Sequence, residues 1–124
     1  MTLVDSSVWI DYFRGDPTTT PLSRLLEENA VLLHPWVIGE LALGPLGRRR
    51  SVVLQDLGRL PPATVVSDRD ALTLVGTRQL WNRGIGWVDA HLLASALVAR
   101  AALWTHDRRL ALVAHDLGLE RMRT

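Results

Sequence analysis

Four short apolar runs alternate with longer segments of helical pattern, and this alternation restricts the fold more than any other feature of the chain. The runs are Thr2–Val4, Ala30–Leu33, Ala63–Val66 and Ala101–Thr105. Each is too short for a helix and lacks the polar alternation of a half-exposed strand, as expected of strands buried on both faces. Between them the spacing predicts helices over Ser6–Phe13, Pro21–Asn29, Pro35–Leu46, Arg48–Leu57, Ser67–Arg83, Val88–Arg100 and Asp107–Leu117. A short closing strand is expected over Leu119–Met122. Strands alternating with helices imply an α/β fold, with a central, mainly parallel sheet of four to five strands and helices on both faces. The length of 124 residues fits one domain spanning 1–124.

Composition removes several classes of chemistry. There is no cysteine, hence no thiol nucleophile and no Cys-based metal site. All 14 basic residues are arginine, so a Schiff-base lysine and a phosphate-loop lysine are both excluded. No apolar run reaches the length of a membrane span, and no secretory leader is visible, so a cytoplasmic protein is expected.

In parallel α/β sheets ligands sit beyond the carboxyl ends of the strands. Asp5 follows the first strand and Asp107 follows the run ending at Thr105. Asp89 lies in the first turn of its helix, and Glu40 lies within an otherwise apolar one. Singly, each has an ordinary reading: a helix cap for Asp89 and Asp107, a turn residue for Asp5, a solvated stripe for Glu40. Together they point to a cluster of carboxylates. Such a cluster repels itself unless a divalent cation relieves it, and oxygen-rich sites suit Mg²⁺ or Mn²⁺. Metal-assisted hydrolysis of phosphodiesters follows as the expected chemistry.

Four segments resemble the motifs of PIN-domain proteins, specifically the VapC toxins of bacterial toxin–antitoxin pairs. They are Leu3-Val4-Asp5-Ser6-Ser7-Val8-Trp9-Ile10-Asp11-Tyr12, Gly39-Glu40-Leu41-Ala42-Leu43-Gly44, the run from Gly86 to Ala96, and Leu103-Trp104-Thr105-His106-Asp107-Arg108-Arg109-Leu110. They occur in family order. The resemblance implies a Mg²⁺- or Mn²⁺-dependent endoribonuclease toxin, homodimeric and inhibited by a cognate antitoxin. It places Asp5, Glu40, Asp89 and Asp107 at the catalytic and metal-binding acids, with Ser7 and Thr105 as supporting hydroxyls. Many relatives carry another acid where this chain has Arg109. The resemblance also implies an apolar groove for an antitoxin helix, formed by the helices over 21–29 and 35–57.

With the four acids set aside, nine acids face 14 arginines, a balance of +5 that suits RNA. Arg83, Arg108 and Arg109 are the candidates for phosphate contact, whereas Arg48-Arg49-Arg50 reads equally as a solvated face. Asp11 is expected to be solvated or salt-bridged. The four histidines share no zinc spacing. Trp9, Trp36 and Trp87 each lie near a motif, where they can stack on bases or fill core. Two other functions remain: a catalytically inactive module of this fold that binds RNA or protein, and an Asp-dependent phosphatase. The second wants another Asp where Ser7 stands and a lysine that the chain lacks.

Overall fold

The structure is a computed structural model that describes residues 1–121. Three strands form a parallel sheet in the order β2-β1-β3: β1 (Thr2–Val4), β2 (Val31–Leu32) and β3 (Ala102–Trp104). Thr2 pairs with Val31 on one side and Ala102 on the other; Val4 pairs with Trp104. All three β1 residues are buried. Because successive side chains point to opposite faces, both faces of the central strand are covered.

Seven α-helices surround the sheet among the described residues: α1 (Ser6–Phe13), α2 (Thr20–Glu27), α3 (Pro35–Ala42), α4 (Arg50–Leu57), α5 (Asp68–Thr77), α6 (Trp87–Ala99) and α7 (Arg108–Asp116). α6 packs against β1 and β3, and its other side is covered by α5. Seven consecutive α6 residues, Ala90 to Ala96, are buried, which explains why this helix has almost no polar stripe. The main core joins Leu3, Val4, Val8, Trp9, Leu92 and Leu103 with the inner faces of α2, α3 and α7.

The expected fourth and fifth strands take a reduced form. Ala63–Val66 is not a regular strand; pairing beside β2 narrows to one parallel bridge, Leu33 to Pro62. Leu33 makes both backbone bonds there, donating to Pro61 O and accepting from Ala63 N. Pro61 and Pro62 have no N–H to donate, so the ladder cannot lengthen through them. The Thr64 carbonyl is taken instead by the Ser95 hydroxyl of α6. On the other edge, Leu103 N–H donates to Leu119 O at 2.8 Å, but residues 119–121 form no strand, and Met122 lies outside the described residues. Two helices are shorter than their apolar patterns. α3 stops at Ala42 ahead of Gly44-Pro45, and α5 stops at Thr77, with Gln79, Asn82 and Gly84 all at positive φ. Each of those backbone angles lies outside the right-handed helical region.

β1 sits between β2, reached first, and β3, reached last. The chain therefore turns to opposite sides beyond β1, and the carboxyl edge next to it is where such sheets bind ligands.

Candidate functional site

Asp5 follows β1 directly and precedes α1, so the sheet fixes its position. Its backbone N–H donates to Trp104 O at 2.9 Å, locking it against β3. The residue occupies the N-cap position of α1, yet its carboxylate makes no capping bond. The carboxylate turns to two hydroxyls instead. Ser7 Oγ donates to Asp5 Oδ2 at 2.7 Å, and Thr105 Oγ1 donates to the same oxygen at 2.8 Å. Each hydroxyl accepts in turn from a backbone N–H: His106 N reaches Ser7 Oγ and Asp107 N reaches Thr105 Oγ1, both at 3.0 Å. Both hydroxyls thus point their hydrogens at Asp5, which is only 6% exposed and accepts from both.

The other three acids gather around it. Ser6, not singled out by its pattern, donates to Glu40 Oε1 at 3.2 Å and lies 3.5 Å from Asp5 Oδ1, linking α1 to α3. Asp89 reaches back to cap its own helix, accepting from Gly86 N at 3.0 Å. Asp107 caps α7 through Leu110 N at 3.0 Å. Capping and clustering therefore coexist, because each cap uses one carboxylate oxygen. Burial, then the charge of Asp5, raises the pKa of Glu40, opposed by the Ser6 hydrogen bond; Asp89 adds a smaller upward push. Burial also raises Asp89, opposed by the Gly86 N–H and supported by the charges of Asp5 and Asp107. Glu40 thus lies in the field of Asp5 and Asp89, and Asp89 in that of Asp5 and Asp107.

Among the described residues, no basic side chain forms an ion pair with any of the four. Nor do any three acids or histidines there close tightly enough to make a ready metal cage. The donor set nonetheless fits a hard dication. It is all oxygen, anionic and without a counter-charge, and a small ion such as Mg²⁺, which keeps several waters, suits acids that gather without meeting at one point.

The expected supporting cast is partly engaged elsewhere. Arg83 is tied to Asp116 at 2.7 Å. Arg108 is exposed and Arg109 lies across Gly84, which sits at φ +78° just before Asp89. A Cβ on Gly84 would stand 2.5 Å from Arg109 Cδ, so glycine makes room for that guanidinium side chain. Asp11 pairs with His106 Nδ1, as expected of a salt-bridged residue. Trp9 is core.

A second layer lies beside the acids. His34 caps α3, its Nδ1 accepting from Trp36 N at 3.1 Å. Its ring is buried, and burial followed by the nearby His91 lowers its pKa, so His34 is neutral with the proton on Nε2. His91 is buried in α6 and meets Asp68 through Nε2 at 2.9 Å. No periodicity in the sequence distinguished His91 from its apolar neighbours; its place, four residues after Trp87 on the same helix face, was the only available signal.

Comparison with known proteins gives the family. The family model described as PIN domain matches residues 2–116. The chain is 47% identical over 120 residues to Ribonuclease VapC32 of Mycobacterium tuberculosis, in both strain CDC 1551 / Oshkosh and strain ATCC 25618 / H37Rv. Each match covers 96% of this chain and 94% of the relative. With its parallel sheet and the order of its four motifs, the chain belongs to the PIN-domain family, in the VapC ribonuclease group.

Proposed function

We propose that this protein is a Mg²⁺- or Mn²⁺-dependent endoribonuclease, the toxin of a toxin–antitoxin pair, working in the cytoplasm. The observation that carries this reading is the Asp5 carboxylate, clasped by two directed hydroxyls and surrounded by three further acids with no basic partner. The 47% identity to a ribonuclease supports the same reaction.

Asp5, Glu40, Asp89 and Asp107 would hold the ion. When bound, it neutralises the acids and the scissile phosphate and lowers the pKa of a water. The chain's own residues do the remaining work. Ser7 and Thr105 hold one oxygen of Asp5 and leave the other for the ion. Ser6 positions Glu40, donating to its Oε1 while lying beside Asp5. In the reaction a water oxygen bonds to phosphorus, its proton passes to a Glu40 oxygen or to solvent, and the P–O bond opposite breaks. The leaving oxygen takes a proton from solvent. Arg108 and Arg109 are the phosphate contacts, while Arg83 must first release Asp116.

The antitoxin reading finds support in an apolar groove on another face. It is lined by Trp9, Tyr12, Phe13, Leu26, Val53 and Leu57, from α1, α2 and α4, with Arg49 and Asp56 beside them; α1 takes the place expected of α3, which contributes no lining residue. Self-association as a homodimer belongs to the same reading. No helix among the described residues is long and apolar enough to cross a membrane.

The test is cleavage of labelled cellular RNA with Mg²⁺ or Mn²⁺, with EDTA, and with Asp5→Asn protein. Discrete cuts that need both metal and Asp5 are expected, with a loss of about 10²-fold or more in Asp5→Asn. Cutting that survives Asp5→Asn in folded protein sinks the mechanism. RNA binding without any cutting by antitoxin-free protein favours the inactive binding module.

A further inference from the structure

Two indoles stand in water beside the acids. Trp36 is 36% exposed and Trp87 is 41% exposed. Trp36 lies four residues before Glu40 on α3, so the two share a helix face. Trp87 opens α6, next to the Gly86 N–H that the Asp89 carboxylate caps. Both rings rest on one imidazole. The Trp36 centroid lies 4.3 Å from that of His91, and the Trp87 centroid lies 4.7 Å from it at an interplanar angle of 88°.

The seat beneath them is fixed. His91 is 2% exposed and bonded to Asp68. The backbone of Trp36 is held by the His34 cap, whose own ring packs edge-on against Trp36 at 5.9 Å. Side chains on so rigid a seat lose little freedom when they bind a flat partner. Leaving two indoles this exposed forgoes apolar burial, and adjacent exposed aromatics mark a binding surface rather than a requirement of the fold.

Chemistry selects the occupant. An apolar peptide laid here would bring its backbone against Glu40 and Asp89, with no basic side chain paired to them. A nucleobase offers a π-face, tolerates any neighbour at its rim, and is attached to the phosphodiester that the acids would process. Bases stack readily on Trp rings once they leave a helix, whereas both faces of a paired base are already covered.

We propose that Trp36 and Trp87, seated on His91, receive the splayed base of a nucleotide adjoining the scissile phosphate. The proposal rests on the ribonuclease reading and adds a base-binding seat beside its acids.

The experiment measures binding and cleavage separately. Binding of a short single-stranded RNA, and of the same strand in a blunt duplex, is followed by polarisation of a dye on the RNA, in EDTA so that nothing is cut. Trp36→Ala and Trp87→Ala are each expected to weaken single-strand binding roughly fivefold to a hundredfold. Trp36→Phe and Trp87→Phe should restore most of it, and Trp36→Leu, which keeps apolar bulk without a π-face and guards against a folding defect in Trp36→Ala, should not. In cleavage the alanine variants should raise KM far more than they lower kcat. Duplex RNA should bind weakly and equally to all proteins. Wild-type affinity in both alanine variants, or a duplex bound as tightly as the single strand, overturns the proposal and leaves the indoles to a protein contact. If wild type binds through Trp36 and Trp87 but cuts nothing, the ribonuclease reading fails while the stacking site stands.

Discussion

Asp5 begins a helix without capping it, and that choice separates a functional carboxylate from a structural one. An N-cap aspartate ordinarily satisfies a helix N–H; here the oxygen is reserved for the hydroxyls of Ser7 and Thr105. Those hydroxyls also accept from the backbone at His106 and Asp107, so each holds the loop after β3 as well as the acid. Removing one leaves Asp5 held by a single hydroxyl. Ser7→Ala and Thr105→Ala should each lower cleavage by about 10- to 100-fold, the usual effect of losing a group that orients a metal ligand. Thr105→Ser, which keeps the hydroxyl, should recover most of the rate with an unchanged circular dichroism spectrum. Full activity in Thr105→Ala would show that the clasp has no catalytic consequence. At this scale the acids were legible because strand ends are legible: Asp5 and Asp107 follow apolar runs. Ser6 was not, because nothing in a run of Asp-Ser-Ser says which hydroxyl crosses to another helix. His91 was hidden for the opposite reason, sitting in a helix buried on every side.

Elements were legible where apolar spacing and turn residues agreed. β1 and α1 match their expected limits, and α7 nearly so, since a strand-end acid followed by an apolar stripe has one reading. Ala63–Val66 failed as a strand because its β-branched content was outweighed by two prolines that cannot donate to a ladder. The long pattern after Ser67 broke at Thr77, where backbone at positive φ overrides side-chain periodicity. Asp107 belongs to this scale as well, because it caps α7 while joining the acid group. The two roles separate by substitution. Asp107→Asn keeps an oxygen for Leu110 N–H and should hold the thermal midpoint within a degree or two while cleavage is lost. Asp107→Ala loses the cap too, at about 1 kcal/mol of stability. Equal destabilisation by both variants would mean that charge, not the cap, holds the start of α7.

Over the whole molecule the acid cluster opposes folding until something neutralises it. Glu40 and Asp89 have pKa values raised by burial and by their neighbours' charge. A carboxyl group that binds protons more tightly when folded contributes stability while protonated, and that contribution falls as pH rises from the unfolded values of 4.5 for Glu and 3.8 for Asp through the raised ones. His34 runs the other way: its lowered pKa means that its contribution is lost as pH falls below the unfolded value of 6.5. Above the raised values of Glu40 and Asp89 the metal-free protein therefore carries the carboxylate strain, with none from His34 above 6.5, and Glu40→Gln and Asp89→Asn should each raise its melting temperature there. A dication acts on the same charges. At a concentration one hundred times its Kd it adds about 2.7 kcal/mol to the native state, enough to raise the melting temperature of a domain this size by several degrees. Because it competes with protons for Glu40 and Asp89, the Mg²⁺-induced shift should be large at pH 7.5 and shrink toward pH 5. Asp5→Asn should abolish it. Melting curves in EDTA and in Mg²⁺, at both pH values, decide the matter; a shift that ignores pH, or persists undiminished in Asp5→Asn, would place the ion somewhere other than among these acids.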